Sequence, residues 1–432
     1  MRTAAAMFAV ALLPSCTGSS AARTADGERP ARPPACQTVA PSAAGLQAVI
    51  DQAPAGAVLC LDDGRHTGPL RITRPLTLWG GPGAVIVSGG NGTTIDVAAD
   101  GVTLAGFGVD GSGSRFDLLD AAVRVHGADV VIDGLDIRHA TFGILTEKSR
   151  RVTVRGNRVA GNPAVTVGMR GDSIRLWETT DSVVEDNQVN DGRDLVVWYS
   201  ARNHIRRNRI RGARYGTHLM YSSDCTVEDN RYERVVVGTF VMYSHRVAVT
   251  GNRVAGASEM GLGLKDAGDI EVRGNGFVHA AMGLYLDGLP PAHEVNRITG
   301  NAVRMCDSGI VFHSSGDRIE LAGNELADNR NQVVVEGGGD ALGMTWDGNY
   351  YDDYAGYDLD GDGIGDVPHQ LRSVSGQLIG RYPNLAYFEG APSLELADAI
   401  TRMVPLLEPQ TLLIDEHPLV ESPHILESLH AY

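Results

Sequence analysis

The feature that most constrains this chain is a repeat. Tyr199, Tyr221 and Tyr243 lie 22 residues apart, and each is followed by a serine. A fixed period of that length marks a repeat architecture, in which each unit buries its apolar face against its neighbours. The same period runs on through asparagines at 157, 187, 208, 230, 252, 275, 301, 324 and 349, usually preceded by Gly or Asp. Three residues before those from 157 to 324 stand Val154, Val184, Ile205, Val227, Val249, Val272, Ile298 and Leu321. Two residues after them stand Val159, Val189, Ile210, Tyr232, Val254, Phe277, Val303 and Leu326. All are apolar, most of their neighbours are polar, and a turn separates the two sets. This is strand alternation with β-branched filling. Helical solenoids need longer repeats and a 3.6-residue period. The pattern therefore predicts an all-β chain: a parallel β-helix of about 22-residue coils, with inward side chains stacked in columns and asparagines laddered at the bends.

The coils are expected from about Val58 to Trp346, within a β-helix unit over 41–370. A step of 30 residues after Asn157 and one of 26 after Asn275 imply insertions at Asn162 to Asp172 and around Leu289 to His293. Insertions at turns leave the core register intact, and loops on such a scaffold often carry recognition. A net charge of −16 argues against a nucleic-acid partner, which calls for a basic face.

The start of the chain reads as an export signal over 1–15. Ala4 to Leu13 is apolar and too short to span a bilayer. It ends Leu13-Pro14-Ser15-Cys16, a lipoprotein-like pattern with Cys16 as the lipidated residue. Residues 16–40 read as a disordered tether. Ser42 is placed to cap a short helix carrying Leu46, Val49 and Ile50, which would plug the open end of the solenoid. An exported chain can hold a Cys36–Cys60 disulfide clamping that plug. Cys225 falls on an inward column with Ser182 and Val247 and reads as a buried thiol.

Aligning the second long strand of each coil puts Trp177, Trp198, Met220 and Met242 in one outward stripe, with His218 beside it. Neighbouring coils sit about 4.8 Å apart. One reading is a protein-contact patch. Another is a transient Cu(I) site of His218, Met220 and Met242, since thioethers and imidazole select soft ions. Further on, Asp358, Asp360, Asp362 and Asp366 with Gly363 have the spacing of a calcium loop, although His369 stands where a bidentate Glu belongs. Residues 371–432 change texture. Pro392 to Val404 reads as an amphipathic helix, so the tail is expected to be helical and to dock on the solenoid's end or on a membrane partner.

The Met-Tyr-Ser coils, the Gly-Leu-Gly-Leu-Lys265-Asp266 and Tyr-Leu-Asp-Gly lines, the Gly348-Asn349-Tyr350 to Pro368 block and the Asp-x-x-Pro-Leu tail resemble the NosD family. The resemblance covers roughly Leu46 to Leu419. Tyr351, His369 and Glu416 depart from its pattern. It implies a periplasmic right-handed β-helix and a non-enzymatic accessory role in nitrous oxide reductase maturation. The partners it implies are an ABC-type ATPase and permease, with the reductase or a copper chaperone. The competing function class is a carbohydrate-active lyase, hydrolase or epimerase; a hydrolase needs paired carboxylates on one outward face. A third is an adhesive surface scaffold.

Overall fold

The computed structural model describes residues 29–42, 45–336, 339–372 and 411–429, with Tyr382, Asn384, Leu385 and Leu396. The expected signal, the lipidation site Cys16 and the tail helix from Pro392 to Val404 lie outside the described residues, Leu396 excepted.

The coil around Asn230 shows how the sequence builds the fold. Thr226–Glu228 is a strand whose Val227 points inward. Asp229 then adopts a left-handed backbone, φ 54°, and turns the chain so that Asn230 is fully buried. Arg231–Glu233 is the second strand, with Tyr232 inward. After a second turn Val237–Met242 forms the third and longest strand. Stacked coils thus make three parallel sheets of 14, 13 and 12 strands. They are called here sheet 1 (Gln37–Val39 to Thr345–Asp347), sheet 3 (Gly64–Thr67 to Tyr350–Tyr351) and sheet 2 (Leu70–Ile72 to Asn331–Val335). One continuous apolar core fills the space between them.

The bends explain the Gly-Asn and Asp-Asn pairs. The residue before each ladder asparagine carries positive φ, from 52° at Arg207 to 67° at Gly251 among the central coils. Glycine takes that conformation without the Cβ penalty, and Asp and Asn tolerate it better than most. Each asparagine then bonds along the axis. Asn230 donates its backbone N–H and its Nδ2 to Asn252 Oδ1 at 3.0 and 2.9 Å, and its Nδ2 also reaches the Ile205 carbonyl at 2.9 Å. Its own Oδ1 accepts the same pair of bonds from Asn208. The ladder runs unbroken from Asn157 to Asn349.

Columns exchange volume locally. Tyr232 is fully buried between Ile210 and Val254 of the neighbouring coils, and a Cβ on Gly216 would lie 2.3 Å from its ring. The Tyr232 hydroxyl is satisfied by Thr217 Oγ1 at 2.8 Å.

The two ends depart from expectation. Gln37–Val39 is the first strand, paired with Leu59–Leu61, so the tether stops short of residue 40. Pro30 also packs there, its carbonyl accepting the Trp79 indole N–H at 3.0 Å. Cys36 and Cys60 are bonded across the pair. The plug helix is Leu46–Gln52 with Leu46 and Ile50 buried, but its N-cap is Gly45. Among the described residues Ser42 contributes its carbonyl, which accepts the Gly45 N–H at 3.1 Å.

At the other end the described tail opens as a strand. Thr411–Asp415 pairs antiparallel with His369–Arg372, and the described helix is the short Ile425–Leu429. The run Thr411 to Ile414, to which the sequence reading assigns no element, is β-branched and leucine-rich and completes a two-stranded sheet. The strand serves the ladder. Asp415, fully buried, accepts the Asn349 N–H at 3.0 Å and Nδ2 at 2.8 Å, the donors that no further asparagine is present to take.

Candidate functional site

The outward face of sheet 2 carries the stripe. Strand register places Trp177 beside Trp198, Trp198 beside Met220, Met220 beside Met242, and Met242 beside Lys265. Asp287 follows Lys265. One column therefore changes character halfway, from aromatic and thioether to charged. All four of its soft members are half-buried.

His218 lies one step in from Met220 and, against the expectation of an exposed imidazole, is only 5% exposed. Aromatic rings bury it. Tyr215 meets it edge-on at 4.8 Å, Trp198 at 5.2 Å, and Phe240 of the next coil stacks beside it at 6.0 Å. Both ring nitrogens have partners. Trp198 Nε1 donates to Nδ1 at 3.3 Å, and Nε2 faces the Met242 sulfur at 3.3 Å. Burial lowers the His218 pKa to about 4; Asp194 opposes this, and Arg214 and Arg193 add to it. The imidazole is therefore neutral at ordinary pH, the state in which it can be a metal ligand. Met220 shares the register of Met242 and flanks the pair. The structure thus brings His218 and Met242 into contact, with Met220 as their neighbour on the stripe.

A ring of charge frames this pocket. Arg193 binds the buried Asp172 at 2.6 Å, and Arg214 grips Asp194 through two nitrogens. Burial pushes the Asp172 carboxyl up, against the pull of Arg193. Arg175 lies over Trp177 at 4.5 Å and over Trp198 at 5.5 Å. Asp172 closes the insertion after Asn157. The insertion's Arg170 ties it down on the Asp191 and Gly212 carbonyls at 3.1 and 3.0 Å. Beyond the pocket Tyr199, Tyr221 and Tyr243 stack at 5.2 and 5.1 Å, nearly parallel.

Reading strands one at a time missed Met260. Its sulfur would lie 3.1 Å from a Cβ on Gly263, in a notch it shares with the Phe240 ring. The signal was the glycine: a gap in an outward column lets a side chain from another column lean in. Tyr215 was missed as well, since it reaches His218 across columns; Arg175, an outward neighbour of Trp177 by spacing, leans over both tryptophans.

Carboxylates along the stripe have partners. Glu147 has His126 at 3.9 Å, Asp287 has Lys265, and Glu336 has His313 at 2.8 Å. Among the described residues each of these three acids thus has a side-chain partner of its own.

The acidic loop forms a separate cluster. Ligand oxygens of Asp358, Asp360 and Asp362 lie within 4.8 Å of one another. Asp358 is held low by the Gly363 and Gly361 amides it accepts, at 2.9 and 2.6 Å. Asp366 is not in that group and takes the Leu359 N–H at 2.7 Å. The loop packs on the tail, Gly365 donating to the Pro418 carbonyl at 2.8 Å. Cys225 and Cys306 are buried, and burial drives both thiols up to about 11.

Known proteins place this arrangement. The chain is 31% identical over 374 residues to a Pseudomonas aeruginosa PAO1 protein called "Probable ABC transporter binding protein NosD", covering 83% of this chain and 87% of that one. The chain belongs to the NosD family. A Stutzerimonas stutzeri NosD of the same description is 28% identical over 378 residues, 84% of this chain and 86% of that one. Residues 161–356 match the NosD family proper, described as "Periplasmic copper-binding protein (NosD)". They contain the whole stripe from Trp177 to Met242. Residues 83–234 match "Right handed beta helix region", which supplies the expected handedness. Among solved structures, the Azotobacter vinelandii mannuronan C-5 epimerase AlgE6 A-module superimposes with a TM-score of 0.56 at 14% identity. The match covers 69% of this chain and 93% of that one. At that identity the likeness is one of fold.

Proposed function

We propose that this NosD-family chain is a non-enzymatic, extracytoplasmic accessory protein that holds Cu(I) transiently and hands it on during assembly of the copper site of nitrous oxide reductase. It works with an ABC-type ATPase and permease, with the reductase or a copper chaperone as the other party to the transfer. Lipidation at Cys16 would tether it to a membrane. What carries the reading is the pairing of a neutral, buried His218 with the Met242 sulfur 3.3 Å from Nε2, inside the segment that matches a copper-binding family.

The donor set fits such a cargo. Thioether and neutral imidazole are soft and uncharged, so they favour Cu(I) without the anionic grip of thiolates. Trp177 and Trp198 keep water from one side, and Met220 offers a second thioether one coil away. Cys225 and Cys306 are unsuited as ligands, because the thiolate is the binding form and burial disfavours it. The acidic loop has a structural role in this reading. Ca²⁺ held by Asp358, Asp360 and Asp362 would stiffen the contact between the last coil and the tail, with Asp366 bracing the loop.

The test is anaerobic Cu(I) titration against a competing chelator, with wild type and a Met220→Ala/Met242→Ala double variant. The reading predicts one Cu(I) per wild-type chain and at least roughly tenfold weaker uptake by the variant, as loss of more than about 1.4 kcal/mol of ligation would give. Equal affinity, or no uptake by wild type, would sink the copper role.

A further inference from the structure

In the structure His218 cannot bind a metal as it stands. Indole Nε1 is only ever a donor. Its bond to His218 Nδ1 at 3.3 Å therefore occupies the Nδ1 lone pair. A neutral imidazole carries one proton, so that proton sits on Nε2, where it points at the Met242 sulfur. One nitrogen has its lone pair engaged and the other has none to offer. Ligation through Nε2, the nitrogen beside the thioether, needs the proton on Nδ1. Two N–H groups would then face each other across the Trp198–His218 contact.

We propose that Trp198 gates the site: its indole N–H locks His218 in the tautomer that cannot ligate, and the imidazole becomes a ligand only when the indole withdraws. The proposal rests on the copper reading above and says how it is regulated. The proton balance closes without an outside acid or base being consumed: Nε2 loses a proton to water, Nδ1 gains one, and the ring stays neutral throughout.

The surroundings suit a gate. Trp198 is half-buried and stands in the outward column, open to a docking partner. On one side it leans on Trp177 at 5.7 Å, and Arg175 covers both rings. Its indole makes one hydrogen bond, the one to His218, so swinging out exchanges that bond for one to water. His218, by contrast, is fixed by Tyr215 and Phe240. The moving part is therefore the indole. A partner that covers the stripe and draws Trp198 onto itself would relieve the lock while docked, so the complex would hold copper more tightly than the free protein does.

The experiment combines nitrogen NMR with metal binding on the full-length protein. Metal-free wild type with ¹⁵N-histidine should show His218 with Nε2 protonated and Nδ1 bare. Trp198→Phe keeps the ring packing but lacks the donor. It should show a population with the proton on Nδ1 and bind Cu(I) roughly 3- to 10-fold more tightly, the worth of one ordinary hydrogen bond. In wild type with ¹⁵N-tryptophan, Ag(I) as a redox-inert stand-in should shift the Trp198 indole signal and leave those of Trp79 and Trp346 in place. That arm stands even if Trp198→Phe folds poorly. Uptake by both proteins with equal affinity, an unchanged tautomer and a still Trp198 signal would overturn the gate and leave the copper reading intact. No Cu(I) uptake by either protein would overturn both.

Discussion

Replacing Asn230 by Ala should be among the most damaging single changes in the chain. Asn230 sits mid-ladder and is fully buried. Its Oδ1 accepts the Asn208 backbone N–H at 2.9 Å and Asn208 Nδ2 at 3.0 Å. Its Nδ2 supplies Asn252 Oδ1 and the Ile205 carbonyl. Truncation leaves the Asn208 N–H without its protein partner at a fully buried position. Asn208 Nδ2 keeps the Val184 carbonyl, and Asn252 Oδ1 keeps the Asn230 backbone N–H, so those losses are partial. An orphaned buried donor costs about 1–3 kcal/mol, and the weakened partners and lost side-chain contacts bring the total to about 3–5 kcal/mol. Urea unfolding gives the global loss, and amide exchange locates it: Asn208 N–H protection should fall most, with its neighbours in the ladder next. A loss under about 1 kcal/mol with Asn208 still protected would refute the idea that the ladder holds the coils in register.

Four further outcomes follow. Gly251 has φ 67°, and a Cβ there would sit 2.4 Å from Asp229 Oδ1, so Gly251→Ala should cost about 1–2 kcal/mol by thermal melting. Cys36→Ser opens a loop closed across 24 residues. It should free the plug helix Leu46–Gln52 at a cost near 3 kcal/mol, seen as faster exchange at that end alone. Burial holds the His218 pKa at about 4 when folded against about 6.5 unfolded, so the unfolded chain binds the extra proton and stability falls as pH drops from 6.5 to 4. His218→Gln should flatten that part of the stability curve by an amount on the order of 3 kcal/mol; an unchanged slope would show that the imidazole is not held neutral. Chelation by EGTA should lower the melting temperature of wild type but not of Asp358→Asn/Asp360→Asn, since a ligand of the folded state alone stabilises it by mass action.

Much of the fold was legible because a β-helix writes its register into the sequence. One column of asparagines fixes the bends, and counting from it places every inward residue and aligns Met220 with Met242. The same count could not show that His218 is buried. Its cover comes from Tyr215 on its own strand, Trp198 on the coil before and Phe240 on the coil after, and linear spacing does not report which way rings lean. Nor could it find the ladder's terminus. Asp415 stands 66 residues beyond Asn349, and only the pairing of Thr411–Asp415 with His369–Arg372 brings it back. Ser42 misled because Ser is a favoured cap, whereas Gly45, at φ 79°, supplies the entry turn by itself.

The proposed copper ligands are His218 and Met242. X-ray absorption at the copper edge of the Cu(I)-loaded protein tests that pairing most directly. The expected result is a reduced ion bound by an imidazole nitrogen and a thioether sulfur, with loss of the sulfur contribution on Met220→Ala/Met242→Ala. A shell of nitrogen and oxygen alone, or a sulfur signal that survives that double substitution, would contradict it.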